Sequence, residues 1–179
     1  MKIYVMRHGR TVWNEKGIIQ GRSNNKLSTQ GITFTQEIAL KFKNINFDII
    51  FVSPLMRAIQ TANIMNQYHK VKILKDERIT EINQGVFTGR YKNSLTEDEK
   101  LVRKKRDINY GIESYQSVYK RTINFLEFLK QQNYDSVLVI THEISATFIQ
   151  DIYERIEIDF SNAKHTHNFS NAEIKCFDF

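Results

Sequence analysis

Three stretches constrain the fold of this chain more than any other feature. Ile3 to Met6, Ile49 to Val52 and Val137 to Ile140 are apolar throughout, and each stops abruptly at polar residues. Runs this short and this apolar fit strands buried on both faces, as in a parallel sheet covered by helices. Weaker strand patterns cover Val71 to Leu74 and Glu173 to Phe177, the last with Ile174 and Cys176 on one side and Asp178 continuing it. Between the strands the spacing turns helical. Phe34, Ile38, Phe42 and Ile45 share one helix face, and Val118, Thr122, Phe125 and Leu129 share another. Ser53-Pro54 predicts a third helix, with serine as the cap, proline in the first turn, and Ala58, Ala62 and Met65 buried. Phe148 and Ile152 mark a fourth, shorter one. Strands alternating with helices predict an α/β fold, a three-layer sandwich with a mostly parallel central sheet flanked by helices. The polar connection from about Tyr91 to Gly111 breaks the alternation and is expected to hold an irregular helix over the site.

The 179 residues suffice for one domain, 1–179, with its own core. One proline and seven glycines argue against linkers and low-complexity segments. No apolar run reaches the roughly 20 residues of a membrane span, and Met1 to Met6 enters a strand without a basic leader. Neither a membrane partner nor a signal peptide is expected. Cys176 is the single cysteine and fits a small residue of the last strand; with no disulfide to form, a cytoplasmic location is expected. The net charge of +6 favours anionic partners. Nucleic acid is one such class, but no nucleic-acid-binding motif is present, and such binding would weaken steeply with salt. The basic run Arg103 to Arg106 reads as a solvated helix face. His165 and His167 have the spacing of a metal pair in an extended segment, yet no third ligand is near, and a polar surface loop is the better reading. No pattern assigns an oligomeric state.

The polar residues at the end of each apolar run carry the chemistry. The first run delivers Arg7 and His8, the second Ser53 and, a helical turn on, Arg57, and the third Thr141 and His142. Glu81 comes after the weaker strand. Ligands of open α/β sheets bind at the carboxyl ends of the strands, so two arginines, two histidines and a carboxylate converge on one edge. Phosphoryl transfer needs such a set, because its demands are mostly positioning and charge neutralisation. Arg7 and Arg57 are suited to hold phosphate oxygens through paired hydrogen bonds. The helix after Pro54 offers backbone N–H donors. A neutral imidazole attacks phosphorus, nearby guanidiniums keep it neutral, and a carboxylic acid protonates the leaving oxygen.

These residues also carry a family resemblance. Arg7-His8-Gly9-Arg10-Thr11-Val12-Trp13-Asn14 resembles the opening signature of the histidine phosphatase superfamily, the phosphoglycerate mutase-like proteins, and Gln20-Gly21, Leu27-Ser28 and Gly31 continue it. Ser53 to Ala62 resembles the second signature, and Glu81, Gly85, Phe87 and Gly89 the third. Gly111 with Glu113-Ser114, Val137 to His142, and Asn171-Ala172 resemble later ones. The resemblance implies a histidine acid-type phosphomonoesterase, a hydrolase without cofactor or metal, acting on phosphorylated small molecules. It implies that His8 becomes phosphorylated, that Arg7, Arg57 and His142 complete the phosphate pocket with Asn14 as a further donor, and that Glu81 is the acid and then the base. Gln20, Gly21, Ser53, Thr141 and Glu143 are the remaining candidate substrate contacts. The alternatives are a phosphomutase, which would need a bisphosphorylated primer, and a non-catalytic phospholigand-binding protein. The segment Gly89 to Gly111 is short beside the insertions of the mutases and so favours hydrolysis.

The chain departs from the family at Lys26 for proline, Thr88 for an acidic residue, Ile112 for glycine and, most consequentially, Glu143 for the glycine after the second histidine. A carboxylate there either repels the substrate phosphate, pairs with a cationic part of the substrate, or points away. The expectation is that Glu143 restrains turnover, so Glu143→Gly should raise kcat/KM for at least one monoester. Unchanged kcat/KM for every active substrate contradicts it.

Overall fold

A computed structural model describes residues 1–160 and 167–179. Strands β1 (Lys2–Arg7), β2 (Ile49–Val52), β3 (Lys72–Lys75), β4 (Ser136–Thr141) and β5 (Ile174–Asp178) form one sheet in the order β3-β2-β4-β1-β5. The first four are parallel, and β5 runs antiparallel to β1. Helices α1 (Val12–Glu15), α2 (Thr29–Phe42), α3 (Met56–Met65), α4 (Glu97–Lys105), α5 (Tyr115–Lys130) and α6 (Glu143–Tyr153) complete the described regular structure with short 3₁₀ turns. This is the expected α/β architecture, with helices on both faces of a mostly parallel sheet.

The apolar runs form the central strands because both their faces are covered. Ile3, Val5, Ile49, Phe51, Val137 and Val139 pack on Phe125, Leu126 and Leu129 of α5 and on Ala146 and Ile149 of α6. The alternate residues Met6, Ile50, Val52, Leu138 and Ile140 pack on Ala39 of α2 and on Ala58, Ala62 and Met65 of α3. The weaker patterns are the sheet edges: β3 exposes Lys72 and Lys75, and β5 exposes Cys176, while Phe177 turns inward. Charge on an edge strand discourages pairing with another chain.

Four helical expectations change. Phe34 is largely exposed, and α2 buries Gly31, Thr35 and Ala39, with Ile38 and Phe42 only flanking that stripe. Small residues let α2 lie close to its neighbours. Ser53 does not cap α3, which starts at Met56 after Leu55. The backbone N–H of Met56 donates instead to Asn24 Oδ1 at 2.7 Å, so that donor is not offered to a phosphate. The fourth helix, α6, runs the full span from Glu143 to Tyr153 and buries every residue from Ile144 to Asp151. The connection after Tyr91 contains α4, seated on a small core of Ile19, Phe87, Leu95 and Ile112.

The turn after β1 is the tightest point. A Cβ on Gly9 would lie 2.3 Å from Thr35 Oγ1, and that hydroxyl is itself committed, donating to Gly31 O at 2.6 Å. Gly9→Ala therefore forces the β1 end away from α2. The expected cost is about 1–3 kcal/mol, as for overpacking elsewhere, read as a lower urea midpoint; an unchanged midpoint contradicts the packing.

Candidate active site

His8 leaves the end of β1 and is anchored on all sides. Its N–H donates to Thr141 O at 2.9 Å, and its carbonyl accepts from Asn171 Nδ2 at 3.1 Å and from the Ala172 N–H at 3.2 Å. Its ring is almost fully buried. Nδ1 lies 2.6 Å from the Gly9 carbonyl, which can only accept, so Nδ1 carries the proton. Nε2 accepts from Arg57 Nε–H at 3.1 Å and so holds the lone pair. Burial first, then the charges of Arg57 and Arg7, hold the ring well below the ordinary imidazole range and therefore neutral.

Arg57 is fully buried at the start of α3. Besides His8, it donates from Nη1 to Ser23 O at 2.7 Å and from Nη2 to Gly21 O at 2.9 Å. Burial lowers its pKa to about 10, leaving it charged at neutral pH. Three of its five N–H groups are thus committed, which leaves one on each Nη for a ligand. Gly21 acts through its carbonyl. Its backbone has a φ of +48°, and a Cβ there would come within 3.1 Å of the Gln84 backbone nitrogen.

Arg7 keeps more of its donors for a ligand. Nη1 donates to Phe169 O and Nη2 pairs with Glu143 at 2.9 Å, while Nε is buried without a partner among the described residues. His142 is buried 5.1 Å from His8, centroid to centroid. Its Nε2 lies 2.7 Å from Ser53 Oγ, and its buried Nδ1 has no partner among the described residues. Ser53 Oγ also accepts from the Leu55 N–H at 3.4 Å, and we assign its own hydrogen to His142 Nε2, which puts the imidazole proton on Nδ1. That assignment leaves Nδ1–H as an uncommitted buried donor. Burial and then Arg57, His8 and Arg7 lower the His142 pKa well below its ordinary value.

Ser53 and Thr141 are completely buried, and their hydroxyls bond within the protein. Ser53 orients His142. Thr141 Oγ1 donates to Ile79 O at 2.7 Å, and Ser145 Oγ to Thr80 O at 3.1 Å, so β4 and α6 brace the segment that carries Glu81. Glu81 accepts the Ile82 N–H at 2.9 Å, and burial raises its pKa against the opposing pull of Arg57. Raised carboxylic acids are the ones able to donate protons near neutrality.

Arg7, His8, Asn14, Gln20, Gly21, Arg57, Glu81 and Glu143 line a cavity of about 300 Å³, whereas His142, Ser53 and Thr141 are not part of its lining. Asn14 also accepts the Thr11 N–H at 3.1 Å, and Gln20 accepts from Thr11 Oγ1 at 3.0 Å. Gln84, Lys92, Arg103, Arg106 and Tyr115 line the same cavity. Arg103 and Arg106 are not a solvated face: both donate to Gln84 Oε1, at 3.0 and 3.1 Å, and Arg106 also donates to the Tyr115 hydroxyl at 2.6 Å. The available signal was Val102, the apolar residue beside the basic run, which packs inward next to Arg103. Of the two histidines with metal-pair spacing, His165 lies outside the described residues, and His167 Nε2 is 2.8 Å from Glu154.

The model of the histidine phosphatase superfamily (branch 1) matches residues 3–179. The chain belongs to the histidine phosphatase superfamily. A protein provisionally named phosphoserine phosphatase 2 from Hydrogenobacter thermophilus is 31% identical over 147 residues, covering 79% of this chain and 72% of that protein. A probable phosphoglycerate mutase of Escherichia coli is 36% identical over 99 residues, 55% of this chain and 46% of that protein. Among solved structures, an Entamoeba histolytica phosphoserine phosphatase variant in complex with phosphoserine superposes with a TM-score of 0.80 at 27% identity, covering 99% of this chain and 90% of that one. The α-ribazole phosphatase of Shigella flexneri reaches 0.86 at 20% identity, covering 99% and 90%, and shares the fold.

The neutral histidines of this superfamily member give its stability a pH signature. The folded pKa values of His8 and His142 lie below the unfolded value of about 6.5. Below that pH the unfolded chain takes up protons the native state refuses, so stability is lost as pH falls, at up to about 1.4 kcal/mol per pH unit for each ring. Glu81 acts oppositely: its raised folded pKa contributes stability at low pH that is lost as pH rises through it. Urea unfolding at pH 7.5 and 5.5 should show a lower midpoint at pH 5.5, and His142→Asn should make the decline shallower. A midpoint that rises on acidification contradicts the neutral assignments.

Proposed function

We propose that residues 1–179 are one histidine phosphatase domain and that it is a metal-independent phosphomonoesterase. It acts on small phosphorylated metabolites in the cytoplasm through a phosphohistidine on His8. The observation that carries this reading is the state of His8, a buried neutral imidazole with Nδ1–H spent on Gly9 O and its lone pair on Nε2 facing the cavity arginine Arg57. Phosphatases named among its relatives and structural neighbours support the same reading. Among the described residues no helix is long and apolar enough to cross a membrane.

In this mechanism the substrate phosphoryl group displaces the Nε2 lone pair from its hydrogen bond with Arg57. The remaining N–H groups of Arg57, together with those of Arg7, Asn14 and His142 Nδ1–H, take its oxygens. Nε2 forms a bond to phosphorus as the ester P–O bond breaks, and Glu81 gives its proton to the leaving oxygen. Glu81, now a carboxylate, takes a proton from water, which attacks phosphorus; the P–N bond breaks and its electron pair returns to Nε2. The arginines stabilise charge on the equatorial oxygens throughout.

Phosphate release from a panel of monoesters with excess chelator tests the reading. Wild type should release phosphate and His8→Ala should not. Glu81→Gln should lower kcat/KM by about 10²–10⁴. Because Glu81 must be protonated and its pKa is raised, wild-type kcat/KM should fall on the alkaline side, with no acid limb near pH 6.5. A chelator-sensitive rate, or full activity in His8→Ala, overturns the proposal. The partial match to a probable phosphoglycerate mutase favours one second reading. It predicts phosphoryl transfer between positions in the presence of a bisphosphorylated primer, faster than phosphate release.

A further inference from the structure

We propose that Glu143 is a specificity-determining residue that selects phosphomonoesters carrying an ammonium group close to the phosphate. The inference rests on the phosphatase reading of the same cavity. Glu143 stands at the first turn of α6, directly after His142, and its half-exposed carboxylate reaches Arg7 Nη2 at 2.9 Å. It therefore occupies, in the resting site, part of the guanidinium edge that a substrate phosphate needs. A phosphate that takes Arg7 deprives Glu143 of its direct ion-pair partner, leaving it the longer-range charge of Arg103, and adds negative charge beside it. The carboxylate is then an electrostatic obstacle unless another cation replaces Arg7.

The rest of the cavity wall decides where that cation comes from. Lys92, Arg103 and Arg106 face the same space, and the two arginines are pinned by Gln84 and Tyr115. The other lining carboxylate, Glu81, acts as the acid and so enters the reaction protonated. An ammonium group on the substrate has one complementary place in this cavity, beside Glu143. An anionic tail has Lys92, Arg103 and Arg106. A substrate with an anionic tail but no ammonium group satisfies these three cations and leaves Glu143 opposed to its phosphate. Discrimination between two such substrates thus falls on Glu143, through the substrate's own cation. A family glycine at this position would neither mask Arg7 nor discriminate.

O-Phosphoserine and 3-phosphoglycerate test this directly, because they share the phosphate and carboxylate and differ at one carbon, ammonium against hydroxyl. The readout is the ratio of their kcat/KM values in wild type, Glu143→Gln and Glu143→Asp, each checked for folding by its thermal midpoint. Wild type should favour phosphoserine by tenfold or more. Glu143→Gln should shrink the ratio at least tenfold while raising kcat/KM for 3-phosphoglycerate, and Glu143→Asp should retain part of the preference. An unchanged ratio in Glu143→Gln overturns the proposal even if phosphate release from p-nitrophenyl phosphate upholds the phosphatase reading. If folded wild type hydrolyses none of the three compounds, the phosphatase reading fails. The ratio of dissociation constants for phosphoserine and 3-phosphoglycerate, in wild type and Glu143→Gln, then decides Glu143 by the same tenfold criterion.

Discussion

The buried charge of Arg57 is the constraint around which the site is built. Removing a guanidinium from water costs several kcal/mol unless fixed dipoles replace the lost solvent. Here the carbonyls of Gly21 and Ser23 and the lone pair of His8 supply them. Each of these partners makes its own demand. The Gly21 carbonyl reaches Arg57 only from a left-handed backbone, in a space closed to any Cβ by Gln84. The His8 lone pair is available only because Gly9 O holds the proton on the opposite nitrogen. Gly9 in turn sits where Thr35 leaves no room for a side chain. One buried cation is thus tied to the tautomer of His8, the path of the chain through Gly21 and Ser23, and the tight turn after β1.

The resting site is also self-satisfied, which shapes how it would meet a phosphate. Arg57 holds His8 Nε2 and Glu143 holds Arg7, so both groups are already occupied by the protein. Arg7 Nε and His142 Nδ1 are buried polar atoms without a partner among the described residues, as is Nε of Arg106, which lines the cavity. Buried unpaired donors are costly, and under the proposed function the acceptor oxygens of a phosphate would be their partners. On that proposal, affinity comes from relieving these groups and from net positive charge, while selectivity is exerted by the contacts that must be exchanged.

Much of this was legible in the sequence because local rules and tertiary structure agree there. The central strands are apolar on both faces, so their position and parallel character follow from the pattern of Ile49 to Val52 or Val137 to Ile140 alone. Polar residues at their carboxyl ends could only converge, and the family signatures name the same ones. The errors lie where a side chain's partner is distant in sequence. Ser53 looks like a helix cap but serves His142, 89 residues away. The Thr141 hydroxyl is held by Ile79 O, a partner the sequence does not reveal. Arg103 and Arg106 look solvated because helix composition does not reveal that Gln84 and Tyr115 await them. Phe34 looks like core because a face of small residues, Gly31, Thr35 and Ala39, packs more closely than the aromatic stripe beside it.

The whole mechanism turns on His8 Nε2, and no other atom, receiving the phosphoryl group. Rapid quenching of the enzyme during turnover of a monoester at alkaline pH, followed by peptide mapping and ³¹P NMR, measures this directly. An acid-labile phosphoryl group on His8, bonded to Nε2, is expected, because Nδ1 is committed to the Gly9 carbonyl. Phosphate bonded to Nδ1, or carried by another residue, or turnover that never passes through a phosphorylated protein, would contradict that mechanism.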